Sequence, residues 1–302
     1  MSTDAIDFEV QRASIRVRAP GTCGEFVQGH IRGQDFLVNC PIDLYAHAEV
    51  TPHARAGLAI ERPGQHLKIR DTLTLAAHEL MLPLRHAVSV RSRIPRGKGM
   101  ASSSADIAAA LGAFLAASDC TVSPLIFAKL LTEVEPSDCV HFNGIAHVNH
   151  LTGDLLGQHA PPTGMRALIV DCGGEIDTLG FDRERARGVY REHEDRITQA
   201  VRTLERGLRD DDATAIADAA TESARLSQLI HRKHAFEDLL ALVTGLGALG
   251  VNCAHSGSVL GVLYLHEPGL GERLLDAVSR QFGTSLAIIG DHAIISGGCD
   301  GE

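Results

Sequence analysis

Tryptophan is absent from this 302-residue chain, and aromatic side chains make up only 4% of it. A core must therefore be built from Ala, Leu, Val and Ile, and stacking platforms for single-stranded nucleic acid are not available. Positive charge is also short. The 28 Lys and Arg face 38 Asp and Glu, a formal net charge of -10, where a nucleic-acid backbone asks for clustered cations. No run reaches the roughly 18 apolar residues of a membrane span. Met1 to Val10, carrying Asp4, Asp7 and Glu9, has no apolar signal core. The seven cysteines are scattered, odd in number and without a CxxC pair, which argues against a disulfide framework or a structural zinc site. The expectation is a cytoplasmic protein with no nucleic-acid or membrane partner.

What is present is an ordinary globular balance, 44% hydrophobic and 22% charged, in a chain long enough for two domains or one large one. Strands are expected from Ile15 through Val27, interrupted at Ala19-Pro20-Gly21, then at Phe36 to Val38, Ile42 to Val50 and Ala87 to Arg91. Helices are expected at Asp71 to Met81, Asp106 to Ala117 and Pro124 to Glu133. The composition shifts at Ala160-Pro161-Pro162-Thr163-Gly164, the linker candidate. Beyond it come a buried strand (Arg166 to Asp171), a long charged helical segment (Asp182 to Arg209) read as a solvated face, and an amphipathic helix (Ala213 to Ile230). A helix from Phe236 to Leu246, a strand from Val259 to Leu265, a helix from Gly269 to Phe282 and paired strands at Leu286 to Ile289 and His292 to Ile295 follow. Strands interleaved with helices in both halves predict a two-domain α+β protein, divided at 1–163 and 164–302.

Three segments carry chemistry. Pro95-Arg96-Gly97-Lys98-Gly99-Met100-Ala101-Ser102-Ser103-Ser104 runs straight into an Ala-rich helix. A helix start leaves N–H groups without partners and attracts anions, glycines let phosphate approach, and serine hydroxyls add donors. Taken alone, such a turn is an ordinary N-cap. Near the N-terminus, Arg18-Ala19-Pro20-Gly21-Thr22-Cys23-Gly24-Glu25 sets glycines and a carboxylate on a strand-turn-strand, suited to an ammonium. Near the C-terminus, Asn252-Cys253-Ala254-His255-Ser256-Gly257-Ser258 is a small-residue turn between helix and strand. His141, His147 and His150 have no helical metal-binding register, so a structural role is expected for them.

In this order the three segments resemble the GHMP kinase superfamily, from about Arg16 to Ile295. The family's middle motif, Pro-x-x-x-Gly-Leu-Gly-Ser-Ser-Ala, is matched by Pro95 to Ser104 with Met100, Ala101 and Ser104 as departures. Ala19 to Glu25, Cys40-Pro41-Ile42-Asp43, Glu135-Pro136-Ser137-Asp138 and Ala254-His255-Ser256-Gly257 are similar to its L-threonine kinase branch, which serves cobalamin assembly. The resemblance implies an N-terminal ATP-binding α+β domain and a C-terminal ferredoxin-like α+β domain, with ATP and Mg2+ as cofactors.

For the site, the resemblance implies that Pro95 through Ser104 wrap the ATP phosphates. Ser103 and Glu135 would hold magnesium, with Glu133 as the alternative to Glu135. Asp138 would be the catalytic aspartate. Glu25 and Asp43 would bind the substrate ammonium, and Gly257 and Ser258 would support the phosphate loop and close the substrate pocket. Where several superfamily members carry Lys in the first motif this chain has Thr22, and Lys98 is the nearest compensating cation. Met100-Ala101 in place of Leu-Gly puts a Cβ in a tight loop, an arrangement expected to need a negative φ at residue 101. The reaction so implied is phosphorylation of the L-threonine hydroxyl by a protein that is a monomer or a homodimer. Homoserine or another alcohol remains an alternative acceptor, and an ATP-dependent decarboxylase or a non-catalytic ligand sensor remains an alternative use of the fold.

Overall fold

A computed structural model describes residues 14–53, 57–61, 66–173 and 182–302; the expectation for Met1 to Val10 lies outside them. Two long strands, β1 (Ile15–Ile31) and β2 (Gln34–Pro52), pair as an antiparallel hairpin across the two-residue loop Arg32-Gly33. Both loop residues have positive φ, 51° and 82°, the twist that matches right-handed flanking strands.

The expected interruption at Ala19-Pro20-Gly21 does not occur. β1 runs through the first motif and absorbs it as register shifts at Pro20/Thr22, Thr22/Glu25 and Glu25/Val27. Proline has no N–H for the ladder, and each bulge bends the strand and re-aims its side chains. The segments expected separately at 36–38 and 42–50 are likewise parts of β2.

Next come β3 (Gly57–Ile60), α1 (Leu67–Glu79), β4 (Arg85–Ser92), α2 (Ser102–Ala117), α3 (Pro124–Thr132), β5 (Ile145–Val148) and β6 (Leu155–His159). The remainder is β7 (Met165–Asp171), α4 (Arg183–Glu192), α5 (Glu194–Asp210), α6 (Ala213–Ile230), α7 (Phe236–Thr244), β8 (Gly250–Cys253), β9 (Val259–Leu265), α8 (Leu270–Phe282), β10 (Ala287–Ala293) and β11 (Asp300–Gly301). The charged segment 182–209 is thus two helices, parted at His193, and the pair of strands expected at 286–295 is one strand, β10. It pairs with β7 through a bulge at Ile288/Gly290.

One curled sheet has the order β10-β7-β9-β8-β1-β2-β4-β3, with β11 beside β1 and the β5–β6 hairpin beside β2. The fold is mixed α and β, as expected. α2 packs on β1, β2 and β4. Its Ala105, Ala108, Ala109, Ala110 and Ala113 are fully buried, and these small side chains let the helix lie close against the sheet. α5 and α6 cover β1 from the C-terminal half, and the Asp212 carboxylate caps α6 by accepting from the N–H groups of Thr214 and Ala215.

Two backbone positions set the stage for the site. At Gly24 (φ +55°) a Cβ would stand 2.5 Å from Ala254 N and 2.6 Å from the Cys253 carbonyl carbon, so β1 presses directly on the end of β8. Ala101 has φ 56° and ψ 27°. The expected negative φ is therefore corrected: this alanine sits in the left-handed region, at a cost of about 1–2 kcal/mol for a residue with a Cβ. Gly24→Ala should lose roughly 3 kcal/mol of unfolding free energy, through strain plus a backbone clash. Ala101→Gly should gain up to about 1 kcal/mol, left-handed strain relieved less the entropy glycine loses on folding. Urea unfolding midpoints of the two variants check both signs.

Candidate active site

The N-terminus of α2 is the organising feature. The Ala105 N–H is the first to bond back into the turn, to Ala101 O at 2.8 Å. The N–H groups of Ser102, Ser103 and Ser104 precede it, so an anion is attracted to this end. The loop leading in is held from two sides. Thr22 N–H donates to Met100 O at 3.0 Å, and Ser258 N–H donates to Lys98 O at 3.2 Å. The approach leaves no room for side chains: a Cβ at Gly99 would meet Ala254 Cβ at 2.4 Å, and one at Gly257 would meet Lys98 O at 2.2 Å. The first and third motifs thus brace the second.

Beside α2 a cavity is lined by Gly97 and Gly99 through Ser104, by Glu25, by Glu135 through Asp138, and by residues of α4. Four acids line it, Glu25, Asp35, Glu135 and Asp138, and those nearest the loop are held in different ways. Ser103 Oγ donates to Glu135 Oε1, and the Lys68 ammonium at the start of α1 donates to Glu135 Oε2. Asp138 is locked by Ser104, whose hydroxyl donates to Oδ2 at 3.0 Å and accepts from the Asp138 N–H at 3.1 Å. Burial, and then the negative charge of Glu25, push the Asp138 carboxyl up to about 7, while the Ser104 hydrogen bond pulls it back.

Glu25 is buried at 4% exposure. Its Oε2 accepts from the His255 backbone N–H at 3.0 Å and from His255 Nδ1 at 2.9 Å. His255 Nε2 lies 3.1 Å from Ser223 Oγ, which accepts the Gln28 N–H at 3.2 Å. Because a carboxylate only accepts, the contact at Nδ1 is an N–H donating to Glu25.

Several expected site residues stand elsewhere. Asp43 is not in the cavity wall; its Oδ1 accepts from His292 Nδ1 at 2.9 Å and from Ala293 N–H at 3.1 Å, tying β2 to β10. Gly257 and Ser258 support the loop from beneath and do not line the cavity, whereas Ser256 does. Ser104 spends its hydroxyl on Asp138. Pro95, Arg96 and Lys98 are outside the lining. Arg96 donates to Asp106 at 3.0 Å, and Asp106 is pushed up to about 6 by burial, with Arg96 acting in the opposite sense. Lys98 is 2.8 Å from Asp171, whose carboxyl it helps hold below the usual range although burial opposes this.

The sequence reading missed Lys68, His150 and the inner face of α4. Ala186 and Tyr190 are buried there, and Arg183, Arg187 and Tyr190 line the cavity. The signal was present as Ala186 and Tyr190, one helical turn apart in an otherwise charged run. Among the described residues no group of three or more His, Cys, Asp or Glu is arranged to hold a metal ion, and no helix is long and apolar enough to cross a membrane.

Comparison with known proteins agrees with this geometry. The sequence model of the GHMP kinases N terminal domain matches residues 68–146, which include α2 and the Glu135–Asp138 segment. The L-threonine kinase of Salmonella typhimurium is 31% identical over 246 residues, 82% of this chain and 81% of that protein. The L-threonine kinase of Citrobacter freundii is 31% identical over 247 residues, 82% of this chain and 85% of that protein. Among solved structures, homoserine kinase from Cytophaga hutchinsonii superposes with a TM-score of 0.76 over 99% of this chain and 100% of its own, at 16% identity, a likeness of fold. With the loop, the acids and the relatives in agreement, the chain belongs to the GHMP kinase family and is an ATP-dependent kinase.

Proposed function

We infer that this kinase transfers the terminal phosphoryl group of ATP to the side-chain hydroxyl of L-threonine, giving O-phospho-L-threonine. The observation that carries the reading is the placement of Asp138 beside the N-terminus of α2, tied to it by Ser104. Two relatives at 31% identity, each named L-threonine kinase, support the acceptor. A role in supplying the aminopropanol linker of cobalamin rests on the resemblance of the short motifs to that branch.

Phosphoryl transfer asks a protein for positioning and for charge stabilisation. The N–H groups at the start of α2 and the backbone of Gly97 and Gly99 take the phosphates. Ser103 and Glu135 offer a hydroxyl and one carboxylate, hard oxygen donors of the kind Mg2+ uses when phosphates and waters complete its shell. When bound there, the ion neutralises charge on the terminal phosphates. Asp138 orients the threonine hydroxyl and accepts its proton as the new O–P bond forms and the bond to ADP breaks. A carboxyl titrating near neutrality is well matched to that task. Glu25, fixed by His255, faces the substrate ammonium.

An ATP-to-ADP coupled assay with magnesium against L-threonine, L-serine, L-homoserine and simple alcohols tests the acceptor. Turnover favouring L-threonine is expected, and preference for another alcohol would overturn the substrate while leaving the kinase.

Asp138 also links activity to stability. Its folded-state pKa lies above its ordinary 3.8, so the native state keeps a proton that the unfolded chain releases. The stability from this group is full below pH about 4 and is lost as pH rises through about 7. Asp138→Asn should therefore melt higher than wild type at pH 8, with the gap closing towards pH 4, while kcat falls roughly 10²- to 10⁴-fold. Melting curves at the two pH values, with steady-state rates, check both parts. Ser104→Ala removes a hydrogen bond that favours the charged carboxylate. The acidic limb of its kcat–pH profile should consequently move upward from that of wild type.

A further inference from the structure

The cavity wall also holds polar groups that the transfer itself does not use. Its charged members satisfy one another. Asp35 accepts from Arg187 Nη2 at 2.5 Å, from Arg187 Nε at 3.1 Å and from His30 Nδ1 at 2.8 Å. Those contacts hold its carboxyl below the usual range although burial alone would raise it. Two uncharged groups in the same wall are not satisfied. Tyr190, on the inner face of α4, is 3% exposed, and its hydroxyl has no hydrogen-bond partner. His150 Nδ1 is also buried without a partner. Burial pushes that imidazole down to about 4, so it stands neutral at physiological pH.

A buried polar atom left unpaired costs about 1–3 kcal/mol, and native structures rarely keep one without a reason. Removing the Tyr190 oxygen would leave the ring packing intact, so its retention at this position calls for a partner that arrives with the ligand. The surroundings specify the sign of that partner. The hydroxyl lies in the field of Glu25 and Asp35, and burial together with those neighbours holds it as the neutral phenol. The Asp35 charge is already matched by Arg187 and His30. Glu25, whose Oε2 is occupied by His255, lines the cavity and remains the carboxylate facing a ligand. A neutral phenolic oxygen sharing a cavity wall with a fixed carboxylate can accept from a cation with several N–H donors. An alkylammonium has three and no acceptor of its own.

We propose that Tyr190 is a substrate-binding residue whose phenolic oxygen, in the cavity wall it shares with Glu25, accepts a hydrogen bond from the α-ammonium of the amino-acid acceptor, making this kinase selective for amine-bearing alcohols. His150, whose Nδ1 is the second unsatisfied buried polar atom in the wall, becomes a further acceptor for the same head group in the tautomer with its proton on Nε2. This assignment rests on the amino-acid-kinase reading given above.

The test is Tyr190→Phe, which deletes one oxygen. The KM for L-threonine should rise roughly 10- to 100-fold, the range of a hydrogen bond to a charged group. The KM for ATP should stay within about twofold, and Tm should be equal to or above that of wild type, since a buried unpaired hydroxyl has been removed. L-Threoninol, which keeps the ammonium and lacks the carboxylate, serves as a competitor against L-threonine. Its inhibition constant should weaken in the variant by a factor similar to that for L-threonine. An unchanged KM for L-threonine in a wild-type enzyme that does phosphorylate it overturns the proposal and leaves the kinase reading intact. A penalty that appears for L-threonine and is absent for L-threoninol also overturns it, by showing that the hydroxyl reads the carboxylate. A wild-type enzyme that turns over no amine-bearing alcohol removes the amino-acid reading and this assignment together.

Discussion

The contact between the Gly97–Met100 loop and the Ala254–Val259 turn governs the rest of the molecule. Gly99 and Gly257 meet with no space for a Cβ on either, and Lys98 O accepts the Ser258 N–H. On the opposite side, Met100 O accepts from Thr22 on β1. A loop of two glycines would otherwise sample many conformations, because glycine loses more freedom on folding than any other residue. Here the third motif supplies the rigidity that the second lacks. The unpaired N–H groups at the start of α2 are then presented in a fixed direction, and the left-handed Ala101 is tolerated because its neighbours on both sides are already set.

Around that anchor the site is built from charges that must not cancel too completely. Glu135 is shared between a hydroxyl and an ammonium, Glu25 is held by the His255 imidazole and backbone N–H, and Asp138 is held by a single serine. Burial first, and then the negative charge of Glu25, raise Asp138 towards neutrality against its hydrogen bond from Ser104. Within one cavity similar side chains thus stand in different environments: Glu135 on a hydroxyl and an ammonium, Asp138 on a serine, and Glu25 on an imidazole and a backbone N–H.

Local sequence made part of this legible. The loop before α2 stands out because helix start, glycines and hydroxyls are contiguous, and the structure sets Asp138, singled out by its short motif, beside that loop. α6 matched its expected span because its amphipathic period is unbroken between Asp212 and Ile230. The parts that stayed hidden depend on distant residues. Pro20 and Gly21 look like a break, yet β1 continues because neighbouring strands hold it and bulges absorb the missing N–H. β8 was hidden in a segment that reads as a small-residue turn; its strand state comes from pairing with β9. Asp43 looked like a ligand until its partners on β10, some 250 residues away, were seen. α4 was read as solvated because its charges outnumber the two buried residues that aim it at the cavity.

The separation along the chain between partners in the site has a kinetic side. Glu25 and His255 are 230 residues apart, Cys23 and Asn252 are 229 apart, and β1, which carries Glu25 and Cys23, lies between β2 and β8. Contacts of that span form only after the intervening chain has been ordered, because loop closure must be met before non-local pairing repays it. During synthesis, β1 and β2 emerge early and the turn carrying His255 emerges late. Glu25 therefore acquires its fixed orientation near the end of folding, and a nascent or partly folded chain has no assembled cavity in which to spend ATP.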